Sequence, residues 1–150
     1  MATAEHHLSA YDKASVPSGA GRRFAVVVSE WNREITDALR AGARQTLLAH
    51  GVAASDITET WVPGSFELAL GAQLLIEQGE LDGVICLGSV VRGETPHFDF
   101  VAGEASRGLA ALQGEFGVPV GFGLLTTDTM EQATARAGGA SARRPPGTSA

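Results

Sequence analysis

The residues best suited to chemistry fall in one run, Gly88-Ser89-Val90-Val91-Arg92-Gly93-Glu94-Thr95-Pro96-His97-Phe98-Asp99-Phe100. An apolar strand candidate, Gly83 to Leu87, leads into it, and a helix-compatible segment follows. Thr95 and Pro96 read as the N-cap and first residue of that helix, because proline's missing donor is harmless there. His97 then lies in the first helical turn. Amide donors and positive potential at such an end attract anions and disfavour a protonated imidazole. A single stretch thus combines a phosphate cradle with a histidine able to take and give protons.

Other chemically capable residues sit at similar junctions. Trp31, in Ser29-Glu30-Trp31-Asn32, directly follows a strand candidate. Its indole suits either the face of a flat heterocycle or packing on a neighbouring loop. Pro63-Gly64-Ser65-Phe66-Glu67 is a sharp turn opening a helix. Glu67 there serves the helix dipole or accepts from the hydroxyls of a polyol. Arg92 beside Gly93 reads as a phosphate clamp or as an exposed loop arginine. Arg136, near the end of the last helix candidate, carries the same two readings. Cys86 sits inside Val84-Ile85-Cys86-Leu87 and reads as a small buried hydrophobe rather than a nucleophile. There is no Gly-x-Gly-x-x-Gly run, no Walker-type loop and no metal-ligand spacing.

The elements that must carry these residues alternate. Phe24 to Val28 is a continuous, largely β-branched run, as expected of a strand buried on both faces. Ile35, Leu39, Ala43 and Leu47 recur at helical spacing, and Gly51 closes that helix. Ile57 to Val62 is a second strand, stopped by Pro63-Gly64. Phe66 to Gln78 is helical, and Val84 to Leu87 is a third strand. His97 to Phe116 carries the stripe Phe98, Val101, Ala105, Leu109, Leu112. A fourth strand runs from Val118 to Leu125, and Asp128 with Glu131 has capping-box spacing for a last helix near Thr129. Four strands separated by helices imply right-handed crossovers and a parallel sheet covered on both faces. In such a sheet, ligands bind beyond the carboxyl ends of the strands, and all four unusual loops fall on that edge.

Composition narrows the classes. The 150 residues make one domain the simplest reading, and a net charge of -6 leaves no basic face for nucleic acid. A single cysteine excludes a disulfide framework and fits a reducing cytoplasm. No stretch approaches membrane-spanning length, and the N-terminus has no apolar signal core, so no membrane partner is expected. Residues 1–22 are small, polar and interrupted by Pro17 and Gly19, and read as an arm that orders against a neighbouring subunit.

Taken together, Ser29 to Asn32, Pro63 to Leu68, Gly88 to Phe100, Phe122 to Thr129, Glu131 to Ala133 and Arg136 to Gly138 resemble the lumazine synthase family. The resemblance covers about residues 23–138 and implies a flavodoxin-like α/β three-layer sandwich with a four-stranded parallel sheet. It implies a transferase that condenses 5-amino-6-ribitylaminouracil with 3,4-dihydroxy-2-butanone 4-phosphate, without metal or cofactor. Carried across motif by motif, Trp31 takes the aromatic stacking position. Ser65, Phe66 and Glu67 meet the ribityl side, and Val90 and Val91 line the pyrimidine pocket. The backbone of Gly93, Glu94 and Thr95 meets the phosphate together with Arg136, and His97 shuttles protons. Phe122 matches a pocket residue supplied by an adjacent subunit. The implied assembly is a homopentamer or a larger shell, with riboflavin synthase as a partner. The alternative is a non-catalytic flavin- or lumazine-binding or shell-forming relative. Residues 139–150, rich in Pro, Gly and Ala, replace the family's apolar C-terminal helix, and Arg144 falls near the position of its phosphate-side lysine.

Overall fold

The β-branched run forms β1 (Phe24–Ser29), in which Ala25 to Ser29 are all buried. A strand buried on both faces needs neighbours at both edges and helices above and below. The computed structural model, which describes residues 12–138, supplies all of these. β1 pairs in parallel with β2 (Ile57–Val62) on one side and β3 (Gly83–Val91) on the other. β3 pairs in parallel with β4 (Val120–Thr127), giving the order β2-β1-β3-β4.

Period-two alternation along β1 divides its side chains between two cores. Val26 and Val28 join Val52, Ile57 and Leu87, against which Leu39, Ala43 and Leu47 of α1 (Arg33–Ala49) pack. Ala25 and Val27 join Val84, Cys86 and Leu124 on the other face. That face is covered by Leu68, Ala72 and Ile76 of α2 (Leu68–Glu77) and by Ala105, Leu109 and Leu112 of α3 (His97–Phe116). Each fully buried aliphatic side chain contributes roughly 1.5–3 kcal/mol, so these two layers hold the sheet. The last described helix, α4 (Met130–Arg136), follows β4. The fold is the α/β three-layer arrangement expected from the alternation of elements.

Several boundaries differ from the sequence expectation, each for a local reason. β3 does not stop at Leu87: its ladder with β4 continues from Val84↔Val120 to Val91↔Thr127. Val90 and Val91 are therefore strand residues, not loop residues. β4 begins at Val120 rather than Val118, because the Pro119 carbonyl accepts from Val84 N–H at 3.0 Å while Val120 N–H donates to Gln113 Oε1 at 3.0 Å. α3 begins at His97 with Pro96 as its cap residue, one position later than expected, and no side-chain hydroxyl caps it. Asp99 N–H is satisfied instead by the Pro96 carbonyl at 3.0 Å. The capping box of α4 is formed by Thr129 and Gln132, not by Asp128 and Glu131. Ser65 to Glu67 form a 3₁₀ turn, so α2 starts at Leu68 rather than Phe66.

Residues 1–11 and 139–150, including Arg144, lie outside the described residues. The rest of the expected N-terminal arm runs beside the end of α1, where Gly19 N–H donates to the His50 carbonyl at 2.7 Å.

Gly88 is where the sheet and the turn before α2 approach most closely. A Cβ there would lie 2.6 Å from Ser65 Oγ, 2.8 Å from Leu124 Cδ1 and 3.1 Å from Leu68 Cδ1. Such overpacking costs about 1–3 kcal/mol. Gly88→Ala is therefore expected to lower the unfolding free energy by that amount, read as a lower urea midpoint at unchanged m-value; an unaltered midpoint would show that the turn is free to move away.

Candidate active site

Parallel alignment sends the carboxyl ends of β1, β2 and β3 to one edge, where they open on a cleft of about 770 Å³. The strand order reverses direction between β1 and β3, the position at which open α/β sheets hold ligands. The first two connections and β3 are stitched together there. Glu30 N–H donates to the Val62 carbonyl at 2.7 Å, and Trp31 N–H donates to the Pro63 carbonyl at 3.1 Å. Asn32 Nδ2 crosses to the carbonyl of Ser89 at 3.0 Å.

Asn32 does this from a left-handed backbone (φ 58°, ψ 46°), while its own carbonyl accepts from Ile35 and Thr36 N–H. Asparagine tolerates that conformation better than most residues. The geometry ends β1, starts α1 and leaves Trp31 standing 73% exposed at the mouth of the cleft. An exposed indole on a fixed backbone is suited to cover a planar ring. Sequence reasoning singled out Trp31 but not Asn32; the signal available was an asparagine directly between a strand and a helix.

The turn after β2 contributes the polar wall. Gly64 N–H donates to Glu67 Oε2 at 3.0 Å, and Glu67 N–H returns to the Gly64 carbonyl at 3.1 Å. This reciprocal pair fixes a half-buried carboxylate at the cleft, beside buried Ser65 and exposed Phe66. The dipole reading of Glu67 and the ligand reading are compatible, since the carboxylate caps its turn and faces the cleft together.

β3 supplies Ser89, Val90 and Val91 to the floor. Ser89 Oγ is buried with no hydrogen-bond partner, an uncommon state for a polar atom beside a cleft. Ser89 was not among the site residues expected from sequence. Gly93 and Thr95 line the next part of the wall and His97 follows at the start of α3, exposed to solvent. The amphipathic stripe of α3 is divided. Ala105, Leu109 and Leu112 enter the core, whereas half-buried Phe98 and Val101 face the cleft with Phe100 and Glu104. A periodicity argument assigns Phe98, Val101, Ala105, Leu109 and Leu112 to one face and cannot tell core from cleft.

Three expected site residues do not line this cleft. Glu94 is exposed on the loop outside it. Phe122, 55% exposed on β4, borders a separate hollow of about 260 Å³ with Leu109, Gln113 and Val120. Arg136 ends α4, with Nη1 donating to the Gln132 carbonyl at 3.2 Å. Arg92 is neither a free clamp nor an unattached surface charge, because its guanidinium donates to Asp128 at 3.0 Å and lies over the Phe98 ring. Among the described residues no group of three His, Cys, Asp or Glu side chains is arranged to hold a metal ion, and no helix is long and apolar enough to cross a membrane.

A sequence model of the 6,7-dimethyl-8-ribityllumazine synthase family matches residues 21–149. The chain belongs to the lumazine synthase family. It is 52% identical over 139 residues to the 6,7-dimethyl-8-ribityllumazine synthase of Phocaeicola vulgatus, an alignment covering 93% of this chain and 83% of that protein. The synthase of Porphyromonas gingivalis is also 52% identical over 139 residues, covering 93% and 86%. That of Synechocystis is 47% identical over 135 residues, covering 87% and 82%. The family match continues past Gly138, where the motifs quoted above end.

In this lumazine synthase family member Cys86 is no part of the cleft's chemistry. It lies fully buried in β3, and desolvation pushes its thiol up to about 12. The thiolate is the reactive form, so the group is inert at neutral pH. A disulfide reagent at pH 7 is expected to label Cys86 only after denaturation; stoichiometric labelling of the native protein would show that the strand opens.

Proposed function

We propose that this chain condenses 5-amino-6-ribitylaminouracil with 3,4-dihydroxy-2-butanone 4-phosphate to give 6,7-dimethyl-8-ribityllumazine, phosphate and water. The observation that carries this reading is the single cleft shared by Trp31, Glu67, Val90, Val91, Gly93, Thr95 and His97 in a chain of this family. An amine must attack a ketone, phosphate must leave, and a ring must close with loss of water. Every one of these steps moves a proton.

In this reading Trp31 covers the pyrimidine over the floor made by Val90 and Val91. Ser65, Phe66 and Glu67 receive the ribityl chain, with the Glu67 carboxylate accepting from its hydroxyls. The backbone of Gly93, Glu94 and Thr95 and the guanidinium of Arg136 hold the phosphate, whose departure a preorganised anion site favours. His97, at the start of α3 and open to the cleft, takes a proton from the attacking amine and returns it to leaving oxygen. Holding two substrates together supplies much of the remaining acceleration. No metal or organic cofactor takes part.

Self-association completes the site. Phe122 and Arg136 do not line the cleft of their own chain, and in this reading a second copy brings them to it. Support comes from the exposed apolar side chains Phe66, Leu70 and Leu74, spaced four residues apart along one line of α2 and its turn, and from exposed Phe100 and Phe122. The assembly we propose is a homopentamer, the unit from which closed icosahedral shells are built. It works in the cytoplasm, where riboflavin synthase consumes the product.

The test is turnover of the purified chain with both substrates, followed by absorbance of the lumazine, alongside its sedimentation. Turnover far above the uncatalysed condensation is expected from the pentamer. Tight riboflavin binding with no turnover would replace the enzyme by a binding protein. His97→Ala is expected to slow kcat by roughly 10²-fold while leaving the pyrimidine KM within about twofold. Unchanged kcat in that variant would remove the proton-transfer role. Arg136→Ala is expected to raise KM for the phosphorylated substrate about tenfold and leave the pyrimidine KM alone. Equal effects on both substrates would argue for a structural role instead.

A further inference from the structure

Arg92 is the first residue beyond β3, and its side chain meets three groups at once. Nε donates to Asp128 Oδ1 at 3.0 Å, Nη1 lies 3.8 Å from Asp99 Oδ1, and the guanidinium carbon sits 4.4 Å from the Phe98 ring centroid. Its backbone N–H donates to the Thr127 carbonyl at 2.8 Å. Phe98 and Asp99 follow His97 in the first turn of α3, whereas Thr127 and Asp128 join β4 to α4. Asp128 is itself held, its N–H donating to Gln132 Oε1 at 2.8 Å inside the α4 capping box. One side chain therefore joins the loop through Gly93, Glu94 and Thr95, the helix start bearing His97, and the entrance to the helix that ends in Arg136.

An exposed ion pair of this kind adds little to global stability, since solvent screens it. Its effect is local. A planar fork can donate along two edges and stack on a ring simultaneously, which an ammonium cannot do. Two carboxylates already face the guanidinium, so its charge is matched and an incoming phosphate would meet their repulsion. We propose that Arg92 is a positioning residue and not an anion ligand. Through Asp128 and Phe98 it holds residues 93–97 in one arrangement, keeping the phosphate-facing backbone and the His97 imidazole in register with the β4–α4 connection. This rests on the condensation reading above.

The experiment compares the assembled full-length wild type with Arg92→Lys, Arg92→Gln, Asp128→Asn and the Arg92→Gln/Asp128→Asn double variant. It measures kcat, KM for each substrate, and backbone amide exchange over residues 93–99 and 128–132. Arg92→Lys, which keeps the charge, and Arg92→Gln, which loses it, are both expected to lose about tenfold in kcat/KM for the phosphorylated substrate, because misplacement of the loop costs rate. Asp128→Asn is expected to fall in the same direction, and the double variant to lie within about twofold of Arg92→Gln, as coupled residues are non-additive. The pyrimidine KM stays level, and exchange quickens in both segments together. Near-normal activity of Arg92→Lys with a neutral Asp128→Asn would overturn the proposal and make Arg92 a direct anion ligand. Additive losses would also overturn it. A wild type without turnover would sink the condensation reading, and exchange would still decide the tie: equal protection in wild type and Arg92→Gln rejects it.

Discussion

The parallel pairing of β1 with β3 is the constraint from which the rest of the molecule follows. Parallel strands cannot be joined by tight turns, so every connection must cross a face of the sheet, and each crossing here is a helix. β1 is buried on both sides, and its valines divide between the α1 layer and the α2–α3 layer. Since chain direction is common to all four strands, every strand-to-helix connection emerges on one edge. The reversal of strand order after β1 then leaves room between the ends of β1 and β3, where the cleft lies.

Loops at such an edge are useful only when their positions are determined. Backbone bonds from Glu30 and Trp31 attach the first connection to the second, and Asn32 attaches it to β3. Glu67 locks its own turn by accepting from Gly64, and Gly88 permits Ser65 to approach β3 without a Cβ in the way. Arg92 joins the third connection to the fourth. Burial supplies the stability of the fold, while these polar ties set the shape of the cleft. The two functions fall on different residues, which is why cleft side chains such as Trp31 and His97 are exposed and core residues such as Leu68 and Leu109 are not.

A single chain presents a cleft with an aromatic cover, a carboxylate and a histidine, yet Phe122 and Arg136 stand elsewhere. Exposed Phe66, Leu70 and Leu74 leave an apolar line along α2 and the turn before it. In the proposed assembly one binding site would be divided between two copies, which would make activity conditional on association and link the apolar surface to the chemistry.

The strand-helix alternation, the buried β-branched strand, the helical stripes and the His97 run were legible in the sequence because they depend on local period and on residue type. The motif resemblance extended that reading to the reaction. Local period could not say where pairing stops. β3 reaches Val91 only because β4 lies beside it, and β4 starts at Val120 only because Gln113 and Val84 engage the preceding backbone. It could not separate Ala105 and Leu109, which meet the sheet, from Phe98 and Val101, which meet the cleft. The two sets share one helical face and differ only in what the rest of the chain places opposite them. Nor could it find the partners of Asn32, Arg92 or Asp128, which lie 57, 36 and 36 residues away along the chain. Residue type and spacing determined which elements form and which chemistry is available; long-range packing and hydrogen bonding decided the shape of the site, because contacts between distant segments leave no periodic trace in the chain.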